Sequence, residues 1–73
     1  MKRNSLFKCK LLITDKNKIV ITNYHQVKEY LGELIIIDEY QIIGRDLQIL
    51  QMDELSVEIL GEIYEIKMEK ESN

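Results

Sequence analysis

Three runs of this sequence are apolar on both faces of any strand they could form: Leu11-Leu12-Ile13, Ile19-Val20-Ile21 and Leu34-Ile35-Ile36-Ile37. Side chains alternate across a strand, so an open sheet with one wet face shows apolar and polar residues in turn. A two-faced run needs cover on both sides. The chain has 73 residues. A single domain of that size buries only about 60% of the surface its unfolded form exposes. Six or seven short strands leave too little protein to cover two faces from within. Either the sheet folds into a small sandwich or barrel, or a second copy or a partner protein covers the other face. The second cover is the expectation taken here.

The apolar residues point the same way. There are twelve Ile, nine Leu and three Val, but no Ala, no Trp and one Phe. Ala is the best helix former, and β-branched side chains suit pleated surfaces, so an all-β fold follows rather than a helical bundle. With 45% hydrophobic residues, the chain has enough apolar surface to fold. The longest all-apolar run, Leu34 to Ile37, has four residues against the roughly 20 of a membrane-spanning helix.

Period-two patterning places the elements. Leu6 to Thr14 reads as a strand, Asp15 to Lys18 as a turn, and Ile19 to Thr22 as the strand that completes a hairpin. Gln26 to Tyr30 reads as strand, against a short helix capped by Asn23 and Gly32. Leu34 to Ile37 and Tyr40 to Ile43 are strands about an Asp38-Glu39 turn. Arg45 to Gln51 and Leu55 to Leu60 follow, separated by Asp53-Glu54. Gly61 sits where the apolar parity changes, which suggests a bulge or bend. Short connections make consecutive strands mostly antiparallel neighbours. The expected fold is a small antiparallel meander of six to seven strands, sandwich-like or a curved sheet. Residues 1–10 read as a basic segment running into the first strand, 11–68 as one β domain, and 69–73 as a frayed tail.

The net charge of −3 is unevenly spread: +5 over residues 1–18, −3 over 19–52 and −5 over 53–73. The basic head (Lys2, Arg3, Lys8, Lys10) could meet nucleic acid or an anionic membrane surface. Only Phe7 is nearby for base stacking, and the remaining chain is acidic, which weighs against nucleic acid. The plainer expectation is that Lys8 and Lys10 pair across strands with Glu62 and Glu65. One cysteine, Cys9, forbids an internal disulfide and fits a reducing compartment. No apolar h-region follows Met1-Lys2-Arg3, so a cytoplasmic protein is expected.

No chemistry-bearing constellation emerges. His25 is the only histidine and lacks the companions that zinc or acyl transfer would need. It reads as a turn residue, and Cys9, between Lys8 and Lys10, reads as a small inward-facing apolar residue. Asp38-Glu39 and Asp53-Glu54 sit at turns, where acids are solvated. One glycine in Ile43-Gly44-Arg45 makes no phosphate cradle. The reading is a non-enzyme without catalytic residues, metal or cofactor. Gly44 and Gly61 are read as structural glycines, and Ile42, Leu47, Ile49, Val57, Ile59 and Ile63 as core. The second-face aliphatics Val20, Ile36, Leu50 and Leu60 are the candidate interface.

Three segments in order resemble a known family. Thr22 to Val27 followed by Tyr30, then Ile42 to Ile49 around Gly44, then Val57 to Ile66 around Gly61 are similar to the YabP/YqfC family of sporulation proteins, the YqfC-like branch above all. The likeness spans about residues 11 to 68. Asp38-Glu39 stands where that family's hairpin carries a glycine, and the branch's longer N-terminal extension is absent. The resemblance implies a protein of the mother cell in an endospore-forming bacterium. It further implies work beside an integral-membrane or coat-assembly sporulation protein. Together with the two-faced strands, it makes this an assembly module that forms a homo-oligomer or docks on such a partner, by a sheet face or an edge strand. Nucleic-acid or anionic-surface binding by the basic head is the alternative.

Overall fold

A computed structural model describes residues 9–15 and 17–68 of the chain. They form one six-stranded antiparallel sheet: β1 (Lys10–Asp15), β2 (Lys18–Thr22), β3 (Val27–Tyr30), β4 (Leu34–Ile37), β5 (Tyr40–Met52) and β6 (Ser56–Met68). The spatial order is β1-β2-β6-β5-β4-β3. Four of the five connections join neighbours, as short loops require. The fifth, residues 23–26, carries the chain from β2 to the far edge of the sheet. The segment before Tyr30 is strand, not helix, and it begins at Val27.

The sequence breaks expected near Gly44 are absent. Tyr40 to Met52 is one 13-residue strand, and Ser56 to Met68 is another. Their long hairpin is the spine of the molecule. Near its turn, β6 pairs with β2 through Lys18↔Leu60 to Thr22↔Ser56. Near its open end, β5 pairs with β4 through Leu34↔Ile43 to Ile37↔Tyr40. The sheet thus has two four-stranded halves that share β5 and β6.

Register converts the sequence into four inward rows. In the first half these are Ile13–Ile19–Ile59–Ile49 and Leu11–Ile21–Val57–Met52. In the second half they are Tyr30–Ile35–Ile42–Ile66 and Val27–Ile37–Tyr40–Met68. Each row is a line of cross-strand pairs, the unit of sheet stabilisation. Ile21, Val57 and Ile59 of one half and Ile35, Ile37 and Ile42 of the other are all 0% exposed. One layer of sheet cannot bury both sets, so the halves must face each other. The shortest dimension of the molecule, 18 Å, suits two layers about 10 Å apart. A hydrogen bond between the halves agrees: the Ile49 N–H of the first half donates to the Tyr30 hydroxyl of the second at 2.9 Å.

The bend lies where β5 and β6 slip register. Asp46 and Leu47 on β5 oppose Gly61 on β6, and Tyr64 is an extra residue between the pairs Gly44↔Ile63 and Ile43↔Glu65. Parity on β6 therefore changes at Tyr64, three residues beyond Gly61. A Cβ on Gly61 would lie 2.8 Å from the Asp46 carbonyl oxygen and 2.9 Å from Leu47 Cα. Gly61 also has φ +147, which favours glycine. A Cβ on Gly44 would fall inside the van der Waals envelope of the Glu62 carbonyl oxygen. Leu47, 3% exposed, packs its Cδ2 over both glycines. Loop 31–33 runs along the β5 edge past the bend, where Gly44 N–H donates to Glu33 O and Leu47 N–H to Gly32 O.

Ile42, Leu47, Val57 and Ile59 belong to the buried core, with Ile49 and Ile63 half-buried against it. Ile19, Ile21, Ile35 and Ile37 complete it. Two-faced runs hide which face is inward, so those four could not be singled out from the sequence.

Candidate interaction surface

The outer face of the sheet carries the candidate interface residues, but not as one patch. On the first half, the row Leu12–Val20–Glu58–Gln51 adjoins Lys18–Leu60–Gln48. Val20 and Leu60 are thus diagonal neighbours on adjacent strands. Leu50 is the extra residue of a bulge opposite Ile59 and Glu58. Ile36 lies on the second half, in the row Glu29–Ile36–Gln41–Lys67. Because the sheet bends between the halves, the expected four-residue interface separates into Val20, Leu50 and Leu60 on one side and Ile36 on another. Lys18 Nζ and Glu58 Oε1, 3.9 Å apart, sit within the first group.

The edges differ in chemistry. β3 is four residues long, with Lys28 and Glu29 exposed and a register slip between Val27 and Glu29. Charges and bulges of this kind discourage further pairing. β1 is the opposite edge. Its central residues, Leu12 and Ile13, are 50% and 67% exposed, although Ile13 ends a core row. Leu11, half-buried, has its N–H turned away from β2 to the Tyr40 hydroxyl. The Tyr40 phenol titrates above its ordinary value because burial disfavours the phenolate, with the Cys9 and Glu39 charges adding to this. Exposed aliphatics on an edge strand are a template for another strand.

One polar junction stands out. Asp38, at φ 52 in the β4–β5 turn, accepts hydrogen bonds from His25 N–H at 2.9 Å, Gln26 N–H at 2.9 Å and His25 Nδ1 at 3.2 Å. The Asp38 N–H donates back to Gln26 O. Burial pushes this carboxyl up, but bonds from His25, Gln26 and the Cys9 side chain outweigh it and hold the group below the ordinary aspartate value. The junction locks the four-residue β2–β3 connection onto the second half. The His25 and Gln26 groups that meet the Asp38 carboxylate are donors that support its ionised form, which makes it a structural anchor. Asp53 acts likewise in the β5–β6 turn, held below its ordinary value by Ser56 N–H and Leu55 N–H. The Tyr24 hydroxyl donates to Asp53 O at 2.8 Å.

His25 is half-exposed and its ring meets the Asp38 carboxylate; Cys9 is half-buried against the core. Among the described residues no three His, Cys, Asp or Glu side chains are grouped to hold a metal ion. No helix there is long and apolar enough to cross a membrane. The pairing of Lys10 with Glu62 or Glu65 does not occur, because β2 lies between β1 and β6 and Lys10 stands opposite Thr22. Residues 1–8, with the remaining basic-head positions, and the tail 69–73 lie outside the described residues. Sequence reasoning missed the Asp38 anchor and the exposed pair on β1. The first depends on partners 12 and 13 residues away; the second had its signal in the two-faced run Leu11-Leu12-Ile13. In comparisons with known proteins, no family model, no curated protein and no solved structure matches this chain.

Proposed function

We propose that this chain is a non-enzymatic assembly module that associates with another protein surface through the first half of its sheet. The observation that carries the reading is the β1 edge. Leu12 and Ile13 stand exposed there beside Val20, on a sheet whose inner rows are buried only at their centres. The most connected polar junction, around Asp38, supports a non-catalytic role, since its donors and acceptors are spent on holding a loop. The resemblance to the YabP/YqfC family supports placing the association in sporulation. On that reading it occurs in the mother-cell cytoplasm, beside an integral-membrane or coat-assembly protein.

Light scattering on a size-exclusion column, over about a hundredfold range of concentration, tests the reading by mass action. A species that grows with concentration is the expected result. A monomer throughout, which also fails to bind the membrane or coat-assembly proteins of a sporulating cell, would overturn it.

A further inference from the structure

We infer that the surface covering the β1 edge is a second copy of this chain, paired antiparallel along β1 about a two-fold axis through Leu12. The inference rests on the association reading above. An axis that pairs two edges antiparallel stands normal to the sheet and keeps outer residues opposite outer ones. Residues of equal parity must then meet. Of such registers, only one sets all three β1 aliphatics against aliphatics: Leu12 against Leu12, and Leu11 and Ile13 each against the other's counterpart. Shifting by one step places Lys10 against Leu12, or Leu12 against Thr14.

In this register the core rows run on across the joint. Met52–Val57–Ile21–Leu11 continues into Ile13–Ile19–Ile59–Ile49 of the second copy. Ile13, 67% exposed in the single chain, gains cover from Leu11 of the second copy. On the outer face, Val20–Leu12 meets Leu12–Val20. Lys10 falls beside the Thr14–Asp15 bulge of the second copy, so opposite charges flank the joint at both ends. The odd-numbered β2 residues turn their backbone groups to β6, as Asn23 N–H does to Leu55 O, so Leu11, opposite Ile21, has its N–H pointing away from β2. Leu11 and Ile13 therefore present their backbone groups across the joint. The Ile13 carbonyl of the second copy is the alternative to the Tyr40 hydroxyl as acceptor for that N–H. Leu12 is left as a non-hydrogen-bonded pair, with Cα atoms about 4.5 Å apart.

That spacing lies within the range a disulfide spans, which gives a direct test on the full chain. In a Cys9→Ser background, Leu12→Cys is oxidised at a concentration where light scattering shows association. Val20→Cys, one strand in from the joint, is the control. Covalent dimer is expected from Leu12→Cys and not from Val20→Cys. Ile13→Lys, with folding checked by circular dichroism, is expected to raise the dissociation constant more than about tenfold. Wild-type association that survives Ile13→Lys, with no Leu12→Cys cross-link, overturns the β1 joint and leaves association by another surface standing. A chain that is monomeric at every concentration overturns the self-pairing outright, and its binding to other sporulation proteins then decides the broader reading separately.

Discussion

At the scale of single residues, Gly44, Gly61 and Leu47 decide whether the long hairpin can bend. Gly61 combines φ +147 with backbone atoms 2.8–2.9 Å from where a Cβ would lie. Gly61→Ala is therefore expected to cost about 3 kcal/mol, since neither strain nor overpacking has a flexible side chain to absorb it. Urea unfolding measures it. A loss below about 0.5 kcal/mol would mean the strands separate freely at the bend. Asp38 decides a different point, the anchoring of the β2–β3 connection. Its folded-state carboxyl titrates below the ordinary 3.8. Its stabilisation is thus complete above that value and fades as pH falls through the folded pKa. Asp38→Asn keeps the tolerance for positive φ but loses the charge, and is expected to cost about 2 kcal/mol at pH 7. Relative to the wild type, its stability should change less between pH 6 and about pH 3. Asp53 titrates in the same window, so the difference between the two proteins is the quantity to read.

At the scale of elements, much of the strand content was legible because alternation survives wherever one face is polar. Leu34 to Ile37 is read from the sequence with the same bounds that β4 has in the structure, and β6 before Gly61 alternates cleanly. Two things were not legible. Tyr40 to Met52 looks like two strands because the bulges at Asp46–Leu47 and at Leu50 shift the parity within one continuous strand. Pairing of β2 with β6 joins residues nearly forty positions apart, and local pattern carries no information about it. The glycines were visible as punctuation, and their close approach was not. The rows also rank the apolar residues in a way hydropathy cannot. Ile59 is 0% exposed at the centre of a row and Leu50 is 53% exposed on a bulge. Ile59→Ala should cost about 2–5 kcal/mol by leaving a cavity, whereas Leu50→Ser should stay within about 0.5 kcal/mol. Thermal melts of the two variants check the ranking, and a comparable loss at Leu50 would show that the bulge is covered.

At the scale of the whole molecule, the bend resolves the problem set by two-faced strands only in part. It turns a sheet that would bury one face against nothing into two halves that bury their inner faces against each other. The outer aliphatics stay half-covered. Hydrogen bonds among the described residues tie the halves away from the shared hairpin. The Tyr30 hydroxyl accepting from Ile49 N–H is one, because it joins the last residue of β3 to the β5 edge of the first half. Tyr30 is 51% exposed, so removing the hydroxyl disturbs little packing. Tyr30→Phe is expected to cost about 1 kcal/mol, the usual net worth of one such bond. It should also speed hydrogen exchange at the Ile49 amide more than at Ile59, which lies in the same row on the neighbouring strand. Equal acceleration at both amides would mean the halves open only by global unfolding. Acceleration at Ile49 alone would mark the Tyr30 contact as the point where the two layers first part.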